Sequence, residues 1–216
     1  MNNNKVNIIG VGGLAKSGKD LFCTIAANLL KEKKITTIKF AFADELKDDI
    51  DSFLREKYGI SAWTSDPDEK EIIRGLLVAH GCCKRNQTKG QHWIDKIQTN
   101  ILNFGLSLPD VIFLSDIRFK NEVEFIHSFD GKFIHLSKYR LERQYTIKGK
   151  ESIEKVFSLP PNEEEKLNDP IIKKMADFRL EWEDIKGSIN IELHDVSMNE
   201  YLIRNVKDML GKCNVF

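Results

Sequence analysis

The chain has no excess of either charge, with 33 Lys and Arg against 33 Asp and Glu. That argues against a bulk polyanion binder, since nucleic-acid domains carry a net positive face. It leaves room for a small anionic ligand, which needs only a few local cations. No apolar run approaches the roughly 20 residues of a membrane span, so no membrane partner is expected. The opening Met1-Asn2-Asn3-Asn4-Lys5 has no signal-peptide layout, and a cytoplasmic protein is expected. Cysteine is sparse: Cys23, Cys82, Cys83 and Cys213 are too few for a disulfide scaffold in a chain this long and read as reduced thiols. Cys82-Cys83 near His80 and His92 would suggest zinc, but adjacent cysteines seldom ligate one ion and no second C-x-x-C pair exists. What is present is 41% hydrophobic and 31% charged residues in 216, enough for one core under a solvated surface.

Residues 5–11 read as a buried strand and 12–19 as a glycine-rich turn. A helix follows, because Leu21, Phe22, Ile25, Ala26 and Leu29 recur at helical spacing. Further strands are expected at 36–42, 111–114, 132–136 and 189–193, and helices at 44–57, 92–104, 122–128 and 198–210. Asp66-Pro67-Asp68 looks like a helix start. Residues 81–90 look basic and turn-rich. Ser197 and Glu200 have capping-box spacing before the last helix. Residues 138–187 are highly charged and read as lacking strand alternation; the expectation is a helical insertion, either solvated surface or a mobile lid based on Arg140 and Arg143. Strands alternating with helices give an α/β class built on a parallel sheet.

Gly13-Leu14-Ala15-Lys16-Ser17-Gly18-Lys19 fits G-x-x-x-x-G-K between a strand and a helix. In such a loop successive N–H groups cradle phosphate oxygens, and the following helix N-terminus adds its dipole. Lys19 would reach the β- and γ-phosphates. Asp20 stands where Ser or Thr would hold Mg²⁺; it either serves the metal, through water, or caps the helix. Residues 111–116 are an apolar strand ending in Asp116, placed to hold Mg²⁺ or its water shell beside the loop. Arg118 can either reach the cleft or pair with Glu122 at the surface. For Arg74, Arg85, Arg140 and Arg143 the default is solvated surface, although phosphoryl transfer needs cations from several segments.

Residues 13–20, Phe42-Ala43-Asp44-Glu45-Leu46-Lys47 and 115–124 resemble the deoxynucleoside monophosphate kinases of tailed bacteriophages, as do Arg74, Leu77, Gly81, Arg85 and Trp93 between them. The resemblance covers about residues 5–136 and fades beyond. It implies a three-layer P-loop kinase fold in one domain with an acceptor-side helical region at 44–108, and the charged stretch 138–187 is then expected to serve as a helical lid. It implies ATP as donor, Mg²⁺, and a (deoxy)nucleoside monophosphate acceptor, with no nucleic-acid partner and with a homodimer left open. Carried onto this chain, Gly13, Lys16, Ser17, Gly18, Lys19 and Asp20 bind donor phosphates, and Phe42, Ala43 and Asp44 line the acceptor side. Arg74, Arg85 and Arg118 face the acceptor or transferred phosphate, and Asp116 lies near the metal. The rivals are a related small-molecule kinase, of phosphomevalonate or dephospho-coenzyme A type, and a nucleotide-binding regulatory protein without turnover.

Overall fold

The structure is a computed structural model that describes residues 6–105, 107–145, 151–184 and 200–215. The class is α/β: a six-stranded central sheet with seven helices among the described residues. The chain divides into two compact units, residues 1–39 with 109–216, and residues 40–108; the division falls within β2 (Thr37–Ala41).

The first unit holds the sheet. β1 (Asn7–Gly12) lies between β3 (Val111–Ile117) and β4 (Lys132–Tyr145) and runs parallel to both. β2 flanks β3, giving the order β2-β3-β1-β4-β5. Side-chain alternation sorts the two faces. Ile9, Val11, Val111, Phe113, Ile134 and Leu136 meet α1 (Lys19–Glu32) and α7 (Glu200–Lys212) in one core. On the other face α5 (Lys120–Ser128) sets Ile126 so close to Gly10 that a Cβ there would lie 2.2 Å from Ile Cδ1. α6 (Glu163–Met175) covers the same face, where Asp169 meets buried His135 at 2.8 Å. Helices on both faces of a sheet make three layers, and each fully buried Ile, Leu or Phe in them contributes about 1.5–3 kcal/mol.

Two expectations need correction. The sheet is mixed, because β5 (Glu151–Phe157) runs antiparallel to the outer half of β4. And 138–187 is not a helical insertion: it holds the rest of β4, β5, α6 and then β6 (Phe178–Glu183), which joins the sheet parallel to β4. Phe178-Arg-Leu-Glu-Trp-Glu183 does alternate, with Leu180 and Trp182 buried and Arg179 and Glu181 exposed. The dense charge masked a half-buried strand of period two. The strand expected at 189–193 and the Ser197 cap lie outside the described residues.

The chain leaves the first unit within β2 and returns at Pro109, just before β3, and the neck is clasped. Asp110 Oδ2 accepts from Thr36 N at 2.7 Å and Thr36 Oγ1 at 2.6 Å, while Val111 N donates to Thr36 O at 3.1 Å.

The second unit is helical: α2 (Phe42–Tyr58) and α3 (Pro67–Thr88) pack around Ile50, Leu54, Ala62 and Ile73, and α4 (Gln91–Leu102) lies against both helices. Asp66 caps α3 by accepting from the N–H groups of Asp68 and Glu69, with Pro67 at the first position. α3 runs through 81–88, where a basic turn was expected. Gly81 is accommodated inside the helix, which continues until Lys89 and Gly90, both left-handed, end it. Asp49 ties the three helices, meeting His80 Nε2 at 2.7 Å and Lys96 Nζ at 2.8 Å. Burial pushes the Asp49 carboxyl up, but the bonds from Lys96 and His80 outweigh it and hold it at about 2.

Candidate phosphate-binding site

The site grows from the junction of β1 and α1. Three loop residues take positive φ: Gly13 at 129°, Lys16 at 62° and Gly18 at 92°. At Gly13 a Cβ would lie 2.2 Å from Leu136 O, and at Gly18 one would lie 2.4 Å from the Trp182 ring. Both positions therefore need glycine for conformation and for space. Trp182, buried in β6, also donates from Nε1 to Ser17 O at 2.7 Å, pinning the loop to the sheet.

Lys19 opens α1 and folds back under the loop, donating to Gly13 O at 3.0 Å and Leu14 O at 2.9 Å. Burial lowers its pKa; Asp116, with Oδ1 at 3.7 Å, opposes that shift. Asp116 owes its position to a bulge. Gly10 pairs with Leu114 and Gly12 with Ile117, so β3 carries one extra residue there, and Asp116 sits at φ 62°. Such bulges re-aim a side chain at the end of a strand.

Arg118 follows. Its guanidinium does not pair with Glu122, as one reading held. Glu122 instead accepts the N–H groups of Arg118 and Phe119 at 2.8 and 3.1 Å, closing the start of α5. The guanidinium turns to Glu165 Oε1 at 3.1 Å and stands 3.8 Å from Asp116. Glu165, in the first turn of α6, has no antecedent in the sequence reading, because its helix lies in the segment past residue 136 where the resemblance fades. It is buried, and its Oε2 accepts the loop N–H of Ala15 at 2.8 Å.

A cavity of about 940 Å³ opens on this loop, with Lys19, Asp116, Arg118, Lys138, Trp182 and Asp184 among its walls. That volume suits a nucleotide-sized ligand. Lys16, Ser17, Gly18 and Asp20 also line it. Lys16 is exposed. Ser17 Oγ is buried without a hydrogen-bond partner among the described residues. Asp20 is not the helix cap, which is Gly18; its exposed carboxylate meets Lys39 at 2.8 Å. Among the described residues no cluster of three or more His, Cys, Asp or Glu is arranged to hold a metal.

Of the other expected residues, Arg140 and Arg143 lie on β4, and the acceptor-side residues belong to the second unit. Arg140 is an exposed residue of β4 paired with Glu142 at 2.5 Å, and it lines a separate cavity of about 300 Å³. Arg143 lies farther along β4, opposite Ile153 of β5. Phe42, Ala43, Asp44, Arg74 and Arg85 belong to the helical unit. Phe42 is buried at the start of α2, next to Ala43, and Asp44 pairs with Lys47 at 3.0 Å. Arg74 is exposed and pairs with Glu71, and Arg85 lies in the last turn of α3. No described helix is long and apolar enough to cross a membrane.

The geometry defines an α/β protein with a strand, a glycine loop and a helix around one buried lysine. No family model matches the chain, and no curated protein matches it in sequence. Among solved structures it is similar to shikimate kinase from Acinetobacter baumannii in complex with shikimate, at 13% identity and TM-score 0.44, over 99% of this chain and 97% of that one. Shikimate kinase from Aquifex aeolicus is similar at 14% identity and TM-score 0.39, over 96% of each chain. At such values the chemistry of this chain has to be read from its own side chains.

Proposed function

We propose that the chain is an ATP-dependent phosphotransferase whose acceptor is a (deoxy)nucleoside monophosphate. The carrying observation is Lys19 held beneath a loop with three positive-φ residues, with Asp116 and Arg118 on the same cavity. A fixed ammonium, a guanidinium and inward N–H groups are what a transferring phosphoryl group requires, because positioning and charge neutralisation do the catalysis. Phosphoryl transfer to a phosphate acceptor needs no covalent intermediate. The choice of acceptor rests on residues 42–47, 74–93 and 115–124, which carry the phage-kinase resemblance.

Mg²⁺ fits as part of the ATP complex. Magnesium is commonly held by one or two carboxylates plus substrate phosphates rather than by an all-protein cage, so the lack of a three-residue cluster among the described residues is no obstacle. Asp116, re-aimed by the bulge, would hold it, and Ser17 in the loop itself has a buried hydroxyl with no partner among the described residues. Asp20, tied to Lys39, would act through water. When bound, the ion would neutralise charge on the transferring group. Asp116→Asn should raise the Mg²⁺ needed for half-maximal rate by about tenfold, and Asp20→Asn by less. Unchanged Mg²⁺ titrations in both variants would remove the metal roles. The reading as a whole is tested by coupled ADP release across nucleoside monophosphates, shikimate and phosphomevalonate. Release with a nucleoside monophosphate alone is expected; turnover only with another acceptor, or with none, overturns it.

A further inference from the structure

Glu165 is a buried carboxylate at the phosphate loop, and its two oxygens take donors suited to a phosphoryl group. Oε2 accepts the N–H of Ala15 at 2.8 Å and Oε1 accepts from Arg118 at 3.1 Å, at 6% exposure. These donors lie at one end of the loop. At the other end, Gly18 and Lys19 open α1 and offer the helix N-terminus, where the phosphates nearer the nucleoside bind. Lys19 spans the two ends: its backbone opens α1, and its Nζ reaches the carbonyls of Gly13 and Leu14, beside Ala15, where Asp116 stands 3.7 Å from it and 3.8 Å from Arg118. With the inner phosphates on the helix N-terminus and the lysine reaching the outer ones, a diphosphate would stop short of Ala15 and Arg118, and a terminal phosphate would reach them.

We propose that Glu165 sets the discrimination between nucleoside triphosphate and diphosphate: its carboxylate holds the terminal-phosphoryl position, and only a terminal phosphate displaces it. This rests on the reading of the loop as a nucleotide site. Two anions cannot share the Ala15 N–H and the Arg118 guanidinium without strong repulsion at such short range. α6 itself stays in place, because Asp169 meets His135 at 2.8 Å and Lys173 reaches Ser137 at 3.2 Å. Displacement is therefore a rotation of one side chain in the first turn, where Asn162 caps the backbone N–H of Glu165 at 2.8 Å. The competing carboxylate lowers affinity for the triphosphate and leaves the diphosphate almost untouched. The other role open to such a residue is a strut that keeps Arg118 and the loop in place for any ligand.

The two roles predict opposite results. Calorimetric titration of the full chain with ADP and with the β,γ-imido analogue of ATP, both with Mg²⁺, gives an affinity ratio for wild type and for Glu165→Gln. Neutralising the plug should tighten the triphosphate analogue by about tenfold, the worth of one charge-assisted hydrogen bond, and change ADP by less than about twofold. Glu165→Ala, which removes the side chain altogether, should move the ratio in the same direction. Weakening of both nucleotides, or an unchanged ratio, overturns the proposal and leaves the loop assignment standing. Failure of the wild type to bind either nucleotide overturns the loop assignment and this proposal with it.

Discussion

Lys19→Ala should lower phosphoryl transfer by about 10³–10⁵-fold, the range for a cation that stabilises charge on a transferring phosphoryl group. The reason is positional. Lys19 is buried, its ammonium is held by two loop carbonyls, and Asp116 lies 3.7 Å away, so neither water nor a neighbouring lysine replaces it. Lys16, the other loop lysine, is exposed. Folding should survive, because the mutated side chain contributes hydrogen bonds to a loop rather than apolar packing. The decisive measurement is single-turnover rate with saturating ATP, alongside a thermal melt. A folded variant that turns over near the wild-type rate would end the kinase reading.

The second large effect concerns Trp182, which joins the core to the loop. Its ring is 2% exposed, packs within a methyl's width of Gly18, and donates to Ser17 O. Trp182→Ala should cost about 3–5 kcal/mol and lower the thermal midpoint by about 10 °C. Trp182→Phe separates the two contributions. It keeps most of the packing but leaves the Ser17 carbonyl without its donor, so stability should fall by only about 1 kcal/mol. Affinity for ATP should fall further than stability does, because the loop loses its tether to β6. Circular dichroism melts and nucleotide titrations measure the two quantities separately. Equal melts for Trp182→Ala and wild type would show that the loop and core are not coupled through this residue.

The loop was legible in the sequence because its chemistry is local. Gly13 and Gly18 supply positive φ and Lys19 reaches the loop's own carbonyls, so spacing carries that much; the close approaches of Leu136 O and the Trp182 ring are not in it. Asp116 was legible as the end of an apolar strand, but the bulge that turns it was not. A bulge is a difference in register between two strands, Gly10 to Leu114 and then Gly12 to Ile117, and one strand's sequence does not contain it. Glu165 and Trp182 were missed for a related reason: each reaches the loop across about 150 or more residues of chain. β6 carried a readable signal, Phe178, Leu180 and Trp182 in alternation, which the surrounding charges concealed. The continuation of α3 through 81–88 was concealed by Gly81 and a run of basic residues. Propensity is a weak guide in a helix supported by its neighbours.

The clasp at Thr36 and Asp110 bears on how such a chain can change over generations. Its hydrogen bonds close the neck from inside the sheet-bearing unit, using only residues that precede and follow the inserted helices. Register between β1 and β3 is likewise set by Ile8 against Ile112 and Ile9 against Phe113. The helices past the end of β2, residues 42–108, can thus lengthen, shorten or be exchanged while the scaffold keeps its alignment. A lineage could acquire a new helical insert by recombination at this neck without rebuilding the loop around Lys19.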